Sequence, residues 1–244
     1  MTKYQHIYGP IKSRRLGNSL GVDMMPLKVC SLDCIYCECG ATTELTVERR
    51  EYISADSIIT ELDDYLTSSP PPDYVTFGGS GEPTLNSGLG AIIRHLKTRF
   101  PSQKLALLTN STLLRDSRLR NDILPCDLIL PSLDAVTDGV FREINKPDAS
   151  ISCTGIINGL ASLSSEYKGL LWLEVFIAPG INDSDDEIAR FKEVITRINP
   201  TRVQLNSLDR RGTCGALTTA SSASLTKIAA RLAPLPIEIV SRNF

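Results

Sequence analysis

Residues 30–40 of the chain read CSLDCIYCECG and hold four of its seven cysteines. The first three have the spacing Cys30-x3-Cys34-x2-Cys37, and Cys39 follows two positions later. A 4Fe–4S cube normally takes four thiolates, so three thiolates from one loop would leave one iron open to a substrate or cofactor. The stretch therefore predicts a cluster loop.

Other uses of these cysteines remain open at this point. A structural zinc site needs four ligands, usually as two separated pairs, and the remaining cysteines are solitary. A thioredoxin-like pair would use Cys34 and Cys37 and would leave Cys30 unexplained. Residues 1–15 contain no apolar segment typical of a signal peptide, and no later run is long enough to cross a membrane. We therefore expect a cytoplasmic protein whose thiols stay reduced, without disulfide bonds or membrane association.

Short apolar runs alternate with stretches of helical periodicity from residue 20 onward. This alternation is typical of parallel strands joined by right-handed crossovers. The predicted strands are Leu20–Met24, Tyr74–Phe77, Lys104–Thr109, Asp127–Pro131, Leu170–Ile177 and Arg202–Leu205, with a short additional strand Ile237–Val240. The clearest helices are Ser54–Leu66, Leu89–Phe100, one running from Asp183 or Ser184 to Arg197, and one running from Ser221 or Ser222 to about Leu232.

Six strand–helix units are too few for the closed barrel of eight. We therefore predict an α/β fold, an open partial (β/α)6 TIM-like barrel of parallel strands. It forms one domain, residues 1–244, with a core of about 9–208 and a C-terminal helix and short strand in 209–244. Polar residues follow most of the strands, and the carboxyl ends of parallel strands are where ligands bind in such folds.

The cysteine triplet after the first strand, with Tyr36 before its third cysteine, resembles the radical S-adenosylmethionine (SAM) superfamily. The stretch FGGSGEPTL, residues 77–85, is similar to the superfamily's Gly-Gly-Glu-Pro element, although Ser80 stands where glycine is commoner. The resemblance implies that Cys30, Cys34 and Cys37 bind a 4Fe–4S cluster and that SAM chelates its remaining iron. It also implies a SAM site at the strand ends, composed of Tyr36, Gly79, Ser80, Gly81, Glu82, Asn110, Ser132, Asp134, Ile181 and Asn182.

The implied reaction is reductive cleavage of SAM to a 5′-deoxyadenosyl radical, which abstracts hydrogen from a substrate. It requires a one-electron donor, such as a flavodoxin- or ferredoxin-like protein, and an oxygen-sensitive cluster. The hard chemistry belongs to the cofactors, while the protein supplies placement and exclusion of water.

Residues 8–23, YGPIKSRRLGNSLGVD, resemble the group related to wyosine-forming tRNA enzymes. No cysteine precedes Cys30, whereas the archaeal members carry upstream cysteines for a second cluster, so this chain resembles a compact relative. Candidate substrate-side residues are Arg14, Arg15, Asn206, Asp209 and Arg210, because arginine forks bind phosphate and carboxylate groups. Lys28 and Lys146 are alternative candidates for a Schiff base, although a solvated lysine is the commoner role.

Three functions stay open from the sequence. RNA modification is favoured by the resemblance and by the excess of basic residues at both ends of the chain. An activase or modifier of a protein or peptide partner would use the same radical chemistry, since an open barrel can admit a peptide segment. A non-catalytic iron–sulfur or zinc module is the third alternative, and it leaves the polar strand ends unexplained.

Overall fold

The elements of the fold alternate along most of the chain. The structure, a computed structural model, describes residues 3–208, 215 and 217–240. Its strands are β1 (Ile7–Ser13), β2 (Gly17–Val22), β3 (Val29–Cys30), β4 (Glu44–Leu45), β5 (Tyr74–Phe77), β6 (Leu105–Thr109), β7 (Leu128–Pro131), β8 (Leu170–Phe176), β9 (Arg202–Asn206) and β10 (Ile237–Ile239). Its helices are α1 (Ala55–Ser68), α2 (Leu89–Arg99), α3 (Ser117–Ile123), α4 (Asp138–Asn145), α5 (Cys153–Glu166), α6 (Asp185–Ile198) and α7 (Ser222–Leu232), with a 3₁₀ turn at Pro83–Leu85.

Eight of these strands form one sheet in the order β1-β2-β5-β6-β7-β8-β9-β10. Each neighbouring pair from β2 to β10 is parallel, and β1 pairs with β2 antiparallel. Within the described residues the two edges of the sheet do not pair with each other, so the barrel is open. The prediction of an open partial (β/α)6 barrel is confirmed: β2 and β5–β9 are its six strands, and β10 is the additional one. The sequence analysis did not predict β1.

The helices cover the outer face of the sheet with the apolar residues that their periodicity predicted. Helix α1 buries Ile58 and Leu62, and α2 buries Ile92, Ile93 and Leu96. Helix α6 begins after Ser184, whose Oγ accepts a hydrogen bond from the backbone N–H of Glu187 at 3.2 Å. Among the described helices, none combines the length and the apolar composition needed to cross a membrane.

The turn between β1 and β2 enters the interior of the open barrel. Leu16, on this turn, is only 6% exposed and packs with Ala106, Leu128 and Leu130 near the starts of β6 and β7. Arg15 reaches further along the interior and forms an ion pair with Glu174 of β8. It also donates a hydrogen bond to Oε1 of Gln204 of β9 at 3.2 Å. The hairpin therefore fills the interior below the carboxyl ends of the strands.

Candidate active site

The cluster loop, residues 30–40, follows the end of β2 and is braced by a second segment. Cys30, Cys34 and Cys37 are half-buried thiols, and Cys39 is exposed. Residues 144–148, here called the strap, run from the end of α4 alongside this loop. The backbone N–H groups of Asp33 and Ile35 donate to the carbonyls of strap residues 145 and 144, both at 3.0 Å. The strap therefore fixes the backbone on both sides of Cys34, the second cysteine.

Each of the three thiols has a nitrogen donor from a different part of the chain. Nδ2 of Asn110 lies 3.5 Å from Sγ of Cys30, and Nδ2 of Asn145 lies 3.2 Å from Sγ of Cys34. Lys28 is only 3% exposed; its Nζ hydrogen-bonds to Cys37 and donates to the carbonyl oxygen of residue 40 at 2.9 Å. N–H groups directed at cysteine sulfurs are a feature of iron–sulfur sites, where they stabilise the negative charge of the thiolates.

The surroundings of the thiols act on their pKa values in opposite directions. Burial raises the pKa of the Cys30 thiol to about 11 and that of the Cys34 thiol further. Hydrogen bonds from Cys39 and Lys28 lower the pKa of the Cys37 thiol. Buried thiols of this kind become thiolates when a metal binds them, since coordination deprotonates a thiol outright. The donor set therefore fits a metal cluster.

Among the described residues, no three His, Cys, Asp or Glu side chains converge as they would on a single metal ion. Thiolates that bind different irons of a cube do not have to converge on one point. The three cysteines therefore fit a cluster without forming a single-ion site.

The loop after β5 packs tightly against the entrance to the cluster loop. A Cβ added to Gly81 would lie 2.1 Å from the carbonyl oxygen of Val29, so only glycine fits at this backbone contact. The backbone N–H of Ser80 donates to Oδ2 of Asp23 at 3.1 Å, and its hydroxyl bonds to the same oxygen. A Cβ on Gly79 would also meet the Asp23 carboxylate, at 2.6 Å. The Asp23 carboxylate therefore accepts hydrogen bonds from both the backbone and the side chain of Ser80.

Glu82 is buried, and its carboxylate is already bonded within the protein. Its oxygens accept from the N–H of Thr84 at 3.1 Å, the hydroxyl of Thr109 at 2.6 Å and the N–H of Asn110 at 2.7 Å, and also from the Thr84 hydroxyl. Burial raises the pKa of Glu82, while these donors act in the opposite direction. The carboxylate thus ties the turn after β5 to the turn after β6.

Asp134 lies at the centre of a second buried network. Its Oδ2 accepts hydrogen bonds from the Tyr36 hydroxyl and, at 2.8 Å, from Nδ2 of Asn145. Its Oδ1 accepts from the backbone N–H of Phe176 at 3.0 Å. The Tyr36 and Phe176 rings are stacked, with centroids 4.0 Å apart. Burial raises the pKa of Asp134. The network joins the cluster loop to the carboxyl ends of β7 and β8.

The other predicted SAM-site residues lie at the same ends of the strands. Asn182 is fully buried; its Nδ2 donates to the carbonyls of Asp134 at 2.8 Å and Phe176 at 2.6 Å, so its side chain holds two strand ends together. Ile181 is half-buried against the core, and Ser132 is half-buried with its carbonyl bonded to the Ser111 hydroxyl. The structure thus brings the predicted residues together at the carboxyl ends of the strands.

A cleft of about 350 Å³ opens beside the cluster loop. It is lined by Tyr36, Cys37 and Glu38 of the cluster loop and by Glu174, Phe176 and Asn206 of strands β8 and β9, with Ser207 and Leu208 beyond. Arg14 and Arg15 of the β1–β2 turn also line it. Oδ1 of Asn206 is buried and has no hydrogen-bond partner among the residues that the structure describes. The remaining substrate-side candidates, Asp209 and Arg210, lie outside the described residues.

The comparison with protein families decides the relationship. The model of the radical SAM superfamily matches residues 24–191, which is more than half of the chain. The chain belongs to the radical SAM superfamily. The cofactors of this superfamily are a 4Fe–4S cluster and SAM.

Two curated relatives match the chain over most of its length. A protein named GTPase Obg from Brachyspira hyodysenteriae is 40% identical over 86% of this chain and 31% of its own length. The UPF0026 protein MJ1312 from Methanocaldococcus jannaschii is 36% identical over 82% of this chain and 62% of its own length. The radical SAM chain thus spans about a third of the first relative and somewhat under two thirds of the second.

Solved radical SAM structures share the fold. A radical SAM methyltransferase from Sphaerobacter thermophilus superposes with a TM-score of 0.68 at 15% identity, over 92% of this chain and 67% of that one. Streptococcus suis SuiB, bound to its precursor peptide SuiA, superposes with a TM-score of 0.63 at 13% identity, over 90% of this chain and 50% of that one. The grouping with wyosine-forming enzymes is not confirmed by these comparisons.

Several residues of this radical SAM site were missed by sequence reasoning. Asn145 and Asp23 carry no local signal, because their partners lie far along the chain. Phe176 looked like an ordinary apolar strand residue. Glu174 did carry a signal: it is a charged residue within an otherwise apolar strand, which is typical of a side chain that faces a polar interior.

Proposed function

We propose that Cys30, Cys34 and Cys37 hold the 4Fe–4S cluster and that SAM binds beside it, in the cleft and along the carboxyl ends of β5–β8. The observation that supports this most strongly is the position of the cleft. The third cysteine and Tyr36 line it together with residues at the ends of β8 and β9. A cofactor in the cleft would therefore contact both the cluster loop and the strand ends.

When bound, the cluster would relay one electron from an external reductant to SAM, and the chemistry supplied would be reductive cleavage of SAM to a 5′-deoxyadenosyl radical that abstracts hydrogen from the substrate. The chain's own residues would bind and orient the cofactors and the substrate, and they would exclude water from the site. Gly79 and Gly81 let the backbone after β5 pack closely against Asp23 and Val29, and this backbone is the proposed binding partner of the SAM amino group. The stacked rings of Tyr36 and Phe176 form an apolar wall of the cleft, and Ser132 and Asn206 offer polar groups at strand ends. We propose that the electron comes from a one-electron donor of the flavodoxin or ferredoxin type. A cluster of this kind is suited to the reducing cytoplasm.

For the substrate we propose RNA, in a reaction related to wyosine formation. Arg14 and Arg15 line the cleft beside the proposed SAM site, and guanidinium groups suit phosphate oxygens. The resemblance of residues 8–23 to the wyosine-related group supports the same choice. A peptide is the alternative substrate, since a protein of the same fold, SuiB, is bound to a precursor peptide.

The cysteine assignment is tested by replacing each thiol in turn. Cys30→Ala, Cys34→Ala and Cys37→Ala should each lose the cluster and abolish formation of 5′-deoxyadenosine from SAM under reducing conditions. The matched control is Cys39→Ala, in the same loop, which should keep about four irons per chain and most of the SAM cleavage. The measurements are iron and sulfide content and nucleoside product after anaerobic reconstitution. Zinc without sulfide in the unsubstituted protein, and no cleavage, would favour the non-catalytic alternative.

A further inference from the structure

Asn145 is the last residue of α4 and belongs to the strap. It is 2% exposed, and its Nδ2 lies 3.2 Å from Sγ of Cys34 and 2.8 Å from Oδ2 of Asp134. Both neighbours accept hydrogen bonds when ionised, so the NH₂ group must face them and both of its hydrogens are used. Its Oδ1 is buried and accepts no hydrogen bond from any described residue. Within the described part of the chain, the side chain is therefore engaged through its nitrogen.

The backbone around Asn145 holds the side chain in this position. Its carbonyl oxygen accepts from the N–H of Asp33 at 3.0 Å, and the N–H of Asp148 donates to the carbonyl of Ser31 at 3.1 Å. Leu32 and Pro147 form an antiparallel bridge between these bonds. Lys146 has a φ of 41°, which turns the chain out of α4 and into the strap. The amide thus has little freedom to leave the Cys34 sulfur.

An N–H group directed at a thiolate stabilises negative charge on the sulfur. Reduction by one electron adds negative charge to an iron–sulfur cluster, so such a donor favours the reduced state and raises the reduction potential. Because Asn145 is buried, water cannot replace the lost bond when the donor is removed.

We propose that Asn145 is a positioning residue for the cluster, whose amide orients Cys34 and raises the reduction potential of the bound 4Fe–4S group. This inference rests on the proposed function, since it takes Cys34 as a cluster ligand. A purely structural role would instead make Asn145 a support of the strap, with an effect on stability and none on the potential.

The test is a redox titration followed by electron paramagnetic resonance on the anaerobically reconstituted protein. Asn145→Leu removes the donor at nearly constant volume. We expect its midpoint potential to become more negative, so that at a fixed potential the ratio of reduced to oxidised cluster falls about threefold to tenfold. The matched control is Arg142→Lys, at an exposed position of α4 three residues before Asn145, which keeps the charge. Its potential should equal that of the unsubstituted protein.

Two outcomes separate this inference from the proposed function. An unchanged potential in Asn145→Leu at full iron content overturns the role of Asn145 and leaves the cluster assignment standing. An unsubstituted protein that takes up no 4Fe–4S cluster overturns both. If Asn145→Leu does not fold, Asn145→Ala, which relieves the volume constraint, is titrated in its place and is judged by the same shift.

Discussion

At the scale of single residues, Glu82 shows how a conspicuous motif residue serves the fold. The sequence suggested a carboxylate for the SAM amino group, and that role stays a prediction. In the structure the buried carboxylate already accepts from Thr84, Thr109 and Asn110. A buried charge is tolerated only when it is well hydrogen-bonded, and these donors meet that condition. Glu82 therefore shapes two of the turns at the proposed SAM site.

This arrangement predicts a loss of stability in Glu82→Gln even without cofactor. The glutamine amide presents hydrogens to groups that are themselves donors, so we expect the free energy of unfolding to fall by about 2 kcal/mol. Urea unfolding of the protein without SAM measures it. Glu143→Gln, on the exposed surface of α4, should change stability by no more than about 0.5 kcal/mol. Normal stability with weakened SAM binding would instead show that the carboxylate acts on SAM alone.

At the scale of elements, the sequence pattern predicted those strands and helices that bury one apolar face. Strands β5–β9 and helices α1, α2, α6 and α7 have apolar residues at the spacing their geometry requires, and they form close to the predicted bounds. Strand β1 lacks such a face: after Ile7 it is exposed almost throughout, so nothing in its pattern marks it as a strand. The thiol donors escaped prediction for another reason. Asn110 and Cys30 are 80 residues apart, and Asn145 and Cys34 are 111 apart, distances over which spacing carries no information.

The β1–β2 hairpin also supports a prediction at this scale. Because Leu16 fills the interior between Ala106, Leu128 and Leu130, Leu16→Ala should leave a cavity there and lower the free energy of unfolding by about 2–3 kcal/mol. Ile11 of β1 is 53% exposed, so Ile11→Ala in the same hairpin should cost no more than about 0.5 kcal/mol. Urea unfolding of both variants measures the difference. Equal losses of stability in the two variants would mean that Leu16 does not pack in the interior of the barrel.

At the scale of the whole molecule, the cleft and the charge distribution bear on the substrate. The formal net charge is −2, yet basic residues exceed acidic ones in the first fifty residues and again after residue 200. Arg14 and Arg15 bring part of the first group to the cleft. Of these two arginines Arg14 is the more exposed, so it is the better candidate for a phosphate contact.

If RNA is the substrate, its affinity should fall linearly with salt on logarithmic axes, because binding releases the counterions of each phosphate that is contacted. Arg14→Gln should weaken binding to all RNA sequences alike and reduce the slope by about one, as loss of one phosphate contact requires. Arg190, paired with Asp186 on the exposed surface of α6, provides the control: Arg190→Gln keeps the original slope. Fluorescence anisotropy with labelled RNA at a series of salt concentrations measures both. A slope near zero for the unsubstituted protein would remove RNA from consideration. A peptide would then be the substrate to test. The cleft would recognise the peptide by shape and by hydrogen bonds, and the buried Oδ1 of Asn206 is one available acceptor.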